Sequence, residues 1–384
     1  MERKIYCLNK ISKVGLGVLP NNYKVVEELE GSDAVLVRSA AMHEMDLPES
    51  IQAVARAGAG VNNIPLDKFA EKGVVVFNTP GANANAVKEL TIAMMLLAAR
   101  DIRGSMEWVK ENKADPEINK TMEKAKSAYA GTEILGKTLG VIGCGAIGAL
   151  VADASRKLGM KVVGVEPSLA TRERNKELLQ GVEFVELDEL LNRSDYITVH
   201  VPLMDATRGM INKDALAKCK DGVIVINAAR DALVNDDDMK EALTSGKVRR
   251  YVTDFPNAKS ANMEGVVAIS HLGASTEEAE DNCAMMAANQ VVNYIENGNI
   301  VNSVNYPNLD LGPKGGNRLL VLYKNNDGLF DQILEVLKAH KHHFSKYVSG
   351  VKGQYGATLL ELDNIDNCVE ELKQLSGVIK VLKR

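Results

Sequence analysis

The segment Thr138 to Glu166, TLGVIGCGAIGALVADASRKLGMKVVGVE, restricts the fold of this chain more than any other stretch. An apolar run, Leu139 to Ile142, enters a turn with glycines at 143, 145 and 148, a helical stretch follows, and a second apolar run, Val162 to Val165, ends at Glu166. Strand, glycine turn, helix and strand in that order form the opening unit of a doubly wound parallel sheet of the Rossmann type. Gly143 permits the tight turn, Gly145 lets a pyrophosphate approach the backbone, and Gly148 lets helix and strand pack closely. The first N–H groups of the helix, at Ala146 and Ile147, face the anion. Glu166 lies where a carboxylate accepts hydrogen bonds from ribose hydroxyls. No Arg stands directly beside it to receive a 2′-phosphate, so NAD is the expected cofactor rather than NADP.

At 384 residues the chain has room for two or three domains, and its net charge of −5, with no basic block, argues against a nucleic-acid partner. No apolar run is long enough to span a bilayer. The cysteines at 7, 144, 219, 283 and 368 are odd in number and form no CxxC pair, which suits a reduced, cytoplasmic enzyme. Cys144, inside the glycine turn, reads as a small filler or as an oxidation-sensitive point.

The chain divides into four parts. Residues 1–98 and 283–308 alternate short apolar runs with helical stretches and are expected to form one smaller, discontinuous, flavodoxin-like α/β substrate domain, with the Rossmann domain, 99–282, inserted in it. Residues 309–317, LDLGPKGGN, read as a linker. Residues 318–384 follow a βαββαβ order, which makes a ferredoxin-like domain with one exposed sheet face or edge. The histidines at 340, 342 and 343 have no cysteine or acidic partner at ligand spacing, so no metal is expected.

Polar residues that directly follow apolar runs are the candidate site, because open α/β sheets bind ligands at the carboxyl ends of their strands. They are Arg38-Ser39, the loops carrying Gly60 and Asn83, His200-Val201-Pro202 with Thr207 after it, Asn227-Ala228-Ala229-Arg230, Asp254, and His271 with Gly273. Oxidising a secondary alcohol calls for a base that titrates near neutrality, and His271 is the best placed histidine. Arg230 can grip a carboxylate through two parallel hydrogen bonds, which makes an α-hydroxy acid the natural substrate class.

Taken together, the glycine turn, the HVPL segment, the NAAR segment, Asp254 and His271-Leu272-Gly273 resemble the D-isomer-specific 2-hydroxyacid dehydrogenases. With the tail, which looks like an ACT regulatory domain, the resemblance is to the short branch that oxidises D-3-phosphoglycerate. It implies oxidation with NAD to 3-phosphohydroxypyruvate in serine biosynthesis, and assembly as a homodimer or homotetramer. An amino-acid effector at the tail is implied as well. Arg230 matches the arginine that binds the substrate carboxylate and His271 the acid/base. Glu166 takes the place of the ribose-binding acid, and Asp254 matches the acid near the nicotinamide. Gly143, Gly145, Ala146, Ile147, Gly148, His200, Val201, Pro202, Thr207, Asn227, Ala228, Ala229 and Gly273 match cofactor-lining positions. Arg38, Ser39, Gly60 and Asn83 match positions that take the phosphorylated acid.

Two departures stand out. The glutamate that pairs with the histidine in such enzymes is replaced by Lys259, and the loop before His271 is shorter. Glu264 on that loop reads first as a solvent-facing residue, with a substitute carboxylate for His271 as its alternative. In the tail, Asn325-Asn326-Asp327-Gly328 replaces the usual Asn and Pro-Gly turn, Tyr323 a histidine, and His343 an asparagine, which departs from the pattern of serine-inhibited forms, while Asn325 keeps a side chain able to meet an amino acid. A glyoxylate or hydroxypyruvate reductase and a catalytically weak NAD-sensing protein are the competing readings.

Overall fold

Runs of β-branched residues set the strands. Val223–Asn227, VIVIN, is buried along its whole length, as a strand covered on both faces must be. In the computed structural model, which describes residues 2–365 and 368–384, such strands form two parallel sheets in two compact units. One unit comprises the chain up to Asn83 together with Glu277–Arg384, and the other is Ala84–Thr276.

The sheet of the second unit runs Val266–Ala268, Val248–Thr253, Val223–Asn227, Tyr196–Val199, Thr138–Ile142, Lys161–Val165, Glu183–Phe184. Chain order reverses between Thr138–Ile142 and Tyr196–Val199, the switch point of a doubly wound sheet. The helix Ala146–Lys157 packs on the strands through Gly148, Ala149 and Ala152, small residues that permit a close approach. The helix Ala84–Ala99 belongs here too, so the unit boundaries fall at 83/84 and 276/277 rather than at 98/99 and 282/283. Its buried Val87, Met94, Met95 and Ala98 share a core with Leu139, Val141, Ile226 and Val252. Two further helices, Ile102–Glu111 and Ile118–Ala125, bury no residue.

The first unit holds the parallel sheet Tyr23–Val26, Arg3–Cys7, Ala34–Val37, Ala53–Arg56, Val75–Phe77, a flavodoxin-like order. The long helix Glu277–Asn297 turns Ala284, Ala287, Val291 and Tyr294 into its core. The C-terminal segment adds an antiparallel sheet in the order Phe344–Lys352, Tyr355–Leu362, Asn317–Lys324, Val378–Lys383, with helices Leu329–Ala339 and Val369–Gln374.

The expected exposure of this tail's sheet is found at one edge, where the strand Phe344–Lys352 is largely exposed. Its helices cover one sheet face, and the other face is covered over its central strands: Leu320, Leu322, Tyr355, Ala357 and Leu359 enter the core that contains Ile5, Phe77 and Tyr294. The segment 309–317 is not a loose connector. Leu309 is buried, and the fully buried Arg318 donates to the carbonyls of Leu311, Gly312 and Pro313, to the carbonyl of Asn297, and to Glu361. Among the described residues no helix is long and apolar enough to cross a membrane.

Candidate functional site

Parallel strands in register bring their carboxyl ends to one edge. In the second unit Ile142 pairs with Val165 and Val199, Asn227 with Val199 and Thr253, and Thr253 with Ala268. Gly143, Glu166, His200, Ala228 and Asp254 are each the next residue in the chain, and His271 follows shortly after Ala268, so the sequence-selected positions of this unit fall along that edge.

The three glycines of the turn do different work. Gly143 adopts φ +89°, and a side chain there would press on the carbonyl of His200 and on Val201. At Gly148 a side chain would collide with the carbonyl of Gly143. Gly145 has ordinary φ, and nothing lies within 4 Å of where its Cβ would stand. Among the described residues no side chain caps the helix that begins at Ala146, so its first N–H groups face this open space. An anion of pyrophosphate type fits there, with the helix dipole favouring its charge. Cys144 beside it is buried, and its thiol is pushed up to about 12 by burial and then by the Glu166 charge. That is the chemistry of a filler, not of a reactive thiol.

The Glu166 carboxylate accepts from the N–H of Cys144 at 3.1 Å and of Ser168 at 3.0 Å, which ties the acid to the glycine turn. An arginine does stand beside it, against expectation. Arg172 donates to the Glu166 carbonyl and lies over the Phe184 ring, with its guanidinium carbon 4.1 Å from the ring centroid. It was invisible in the linear pattern because a helical turn separates it from the strand end.

Asn227 builds the next corner. Its buried side chain accepts from the N–H groups of Ala229 and Arg230 and donates to the Arg230 carbonyl at 2.7 Å. Arg230 projects from this turn, with one guanidinium N–H on the Ala229 carbonyl. Asp254, only 1 % exposed, accepts from the N–H of Leu272 at 2.7 Å and of Gly273 at 2.8 Å. Burial raises its pKa, and those two N–H groups, then the His271 charge and N–H, pull the other way. The clamp holds a turn in which His271 takes φ +58°, a left-handed conformation that costs a residue other than glycine about 1 kcal/mol or more.

Phe255, which sequence reasoning passed over, joins the two candidate catalytic groups. Its ring centroid is 4.3 Å from that of His271 and 5.2 Å from the guanidinium carbon of Arg230. The available signal was an aromatic residue immediately after a strand-end acid.

Glu264 is not brought to His271. It is exposed, precedes the strand whose far end leads to His271, and makes no hydrogen bond or ion pair among the described residues. Lys259 pairs instead with Asp237 at 2.8 Å. His200 bonds Thr198 at 2.9 Å through Nε2 while its Nδ1 is buried, although the residue as a whole is partly exposed; burial lowers its pKa to about 4. The Thr207 hydroxyl donates to the Pro202 carbonyl at 2.7 Å and accepts from the N–H of Met204 at 2.9 Å, which closes the 202–207 loop.

In the first unit, Arg38 follows its strand and pairs with Glu280 at 2.7 Å. Its backbone N–H donates to Asn9, whose amide also reaches Ser39 at 3.5 Å. Arg56, missed by the sequence reading, donates to the carbonyls of Arg38 and Gly60 and so joins these two positions. It ends an apolar run one residue before the glycine-rich loop that drew notice. Asn83 is partly exposed at the end of this unit.

Residues 92–273 match the NAD-binding domain of the D-isomer-specific 2-hydroxyacid dehydrogenases. A hydroxypyruvate reductase of Thermotoga maritima is 39% identical over 67% of this chain and 82% of its own length. D-3-phosphoglycerate dehydrogenases of Archaeoglobus fulgidus and Mycobacterium bovis are 35% and 38% identical over 75% and 71% of this chain, but over only 54% and 51% of their own length. The chain thus spans about half the length of these longer relatives. Among solved structures, an NAD-bound 3-phosphoglycerate dehydrogenase of Entamoeba histolytica aligns with TM-score 0.62 at 25% identity, covering 79% of this chain and 99% of its own. A glyoxylate reductase of Paecilomyes thermophila aligns with TM-score 0.64, also at 25% identity, covering 79% and 98%.

Proposed function

The chain belongs to the D-isomer-specific 2-hydroxyacid dehydrogenases, with NAD as cofactor, and on that footing we propose that it oxidises D-3-phosphoglycerate to 3-phosphohydroxypyruvate, which opens serine biosynthesis. The observation that carries the reading is that Arg230 and His271 share the Phe255 ring, on the sheet edge that also bears the glycine turn.

NAD, when bound, supplies the hydride acceptor. Arg230 binds the substrate carboxylate through parallel N–H···O bonds and polarises the neighbouring carbon–oxygen bond. His271 accepts the hydroxyl proton as the carbonyl forms, and returns it in the reverse direction. Asp254 keeps the His271 turn closed. The open face of Gly145 and the N–H groups of Ala146 and Ile147 take the pyrophosphate, and Glu166 takes the ribose hydroxyls. His200, Val201, Pro202, Thr207, Asn227, Ala228, Ala229 and Gly273 line the rest of the cofactor. Arg38, Ser39, Gly60 and Asn83 take the phosphorylated acid.

The chain works as a cytoplasmic homodimer or homotetramer. Helices Ile102–Glu111 and Ile118–Ala125, which expose Met106, Val109 and Met122, support an assembly face. An amino-acid effector has a candidate seat in a cavity of about 480 Å³ lined by Tyr323, Asn325, Asp327, Phe330, Tyr347 and Ser349.

Hydroxypyruvate reduction is the second reading, favoured by the 39% identical relative. Reduction of 3-phosphohydroxypyruvate, hydroxypyruvate and glyoxylate at matched concentrations decides between them. The proposal expects kcat/KM for the phosphorylated acid to lead by about tenfold or more, a margin that one well-bound charged group supplies. The reverse order refutes it.

A further inference from the structure

A base that takes a proton from substrate works only if a third group fixes the plane of its ring. Among the described residues no side-chain carboxylate is hydrogen-bonded to the His271 imidazole, although the Asp254 charge acts on it through space. Both oxygens of Asp254 are engaged by the N–H groups of Leu272 and Gly273, Glu264 lies before the opposite end of the preceding strand, and Lys259 is tied to Asp237. What meets the imidazole is the Phe255 ring, tilted 44° at 4.3 Å. The same ring receives the Arg230 guanidinium at 5.2 Å.

Phe255 is itself well supported. It follows the strand Val248–Thr253, its N–H donates to the Thr253 hydroxyl at 3.0 Å, and Pro256 comes next, which restricts its backbone. An aromatic face carries negative charge density and attracts a guanidinium or an imidazolium within about 6 Å. One fixed ring therefore holds the carboxylate-binding group and the acid/base at a set separation.

We propose that Phe255 is the positioning residue of the active site, orienting both Arg230 and His271 through its ring face. The proposal rests on the dehydrogenase reading above. It assigns the ring a task in turnover and not merely in packing, so the face, rather than the bulk, is what matters.

The test compares Phe255→Leu, which keeps bulk without a ring face, with Phe255→Tyr, which keeps the face. Steady-state kinetics are run in both directions on 3-phosphoglycerate and 3-phosphohydroxypyruvate, beside an NAD titration that reports whether the nucleotide-binding unit is folded. In Phe255→Leu, kcat should fall and KM for the acid should rise, each by about 2- to 5-fold, as expected for loss of a cation–π contact between exposed groups. KM for NAD should stay within about twofold of wild type, and Phe255→Tyr should recover kcat to within about twofold, since its ring face is retained. A Leu variant with wild-type kcat and KM overturns the proposal, as does a Tyr variant no better than Leu while both bind NAD normally. A wild-type enzyme that turns over no 2-hydroxy or 2-oxo acid overturns instead the functional reading beneath it.

Discussion

Replacing Asp254 by Asn tests how the catalytic turn is held, because it leaves shape almost unchanged and removes one acceptor. The carboxylate takes two backbone N–H groups, one on each oxygen, at 2.7 and 2.8 Å. An amide can accept only one of them, and its NH2 then confronts the other. Each charge-assisted bond contributes about 1.5–3 kcal/mol and a stranded donor costs about 1–3 kcal/mol, so the local loss is about 3 kcal/mol. On the other side stands the removal of a charge from a site so buried that its pKa is raised, which offsets much of that loss in global stability. The two effects separate in what they act on. The N–H groups belong to the turn that keeps His271 at φ +58°, and nothing in the burial term preserves that conformation once the clamp opens. Stability in urea should therefore change by less than about 1.5 kcal/mol while kcat drops about 10- to 100-fold, the range that a 1.4–3 kcal/mol loosening of the turn allows. Hydrogen exchange at the Leu272 and Gly273 amides should accelerate by a similar factor. A variant with near-wild-type kcat and unchanged exchange at those amides would refute this account of Asp254.

Other perturbations probe separate parts of the molecule. Gly145→Val places a side chain in open space at an ordinary φ, so unfolding free energy should stay within about 0.5 kcal/mol while the NAD Kd, followed by titration, rises about 100-fold or more through blocked approach of the phosphates. Arg318→Met strands Glu361 and several carbonyls in a buried setting, and should lower stability by about 3–5 kcal/mol in denaturant unfolding. His200 has its pKa depressed to about 4 by burial, so its contribution is full above the unfolded value near 6.5 and is lost as pH falls towards 4. Wild type should accordingly lose on the order of 3 kcal/mol across that window, and His200→Gln should show a flatter stability profile there.

What could be read from the chain, and what could not, follows from the range of the interactions involved. The glycine turn, the Asn227 corner and the residues after each apolar run are local devices, in which turn chemistry and strand ends are written in adjacent letters. Phe255, Arg56 and Arg172 act across strands or across a helical turn. Their partners are set by sheet register and helix geometry, which no short pattern displays. The shortened loop before His271 is a case of the same kind: it holds the 260–262 turn, Lys259 pairs with Asp237, and Glu264 is exposed, the solvent-facing role that its loop position favours.

The tail shows that an overlooked signal can still be present. Leu319-Leu320-Val321-Leu322 is a continuous apolar run, not the alternation of a strand with one wet face, and all four residues are buried. Leu319 and Val321 meet the tail's own helices, while Leu320 and Leu322 enter the core of the first unit. A continuous apolar run of this kind requires a second covering layer. The candidate supplier was the preceding α/β segment, joined to the tail by only a short connector. The edges of that contact are then sealed by long basic side chains that lay apolar stems over the interface and bring their charged ends to backbone or amide oxygens: Lys380 to the Ile51 carbonyl, Arg384 to Gln52, Lys352 to the Ser303 carbonyl. A strand that serves two cores cannot leave one without exposing it, and so the C-terminal segment is a structural part of the first unit.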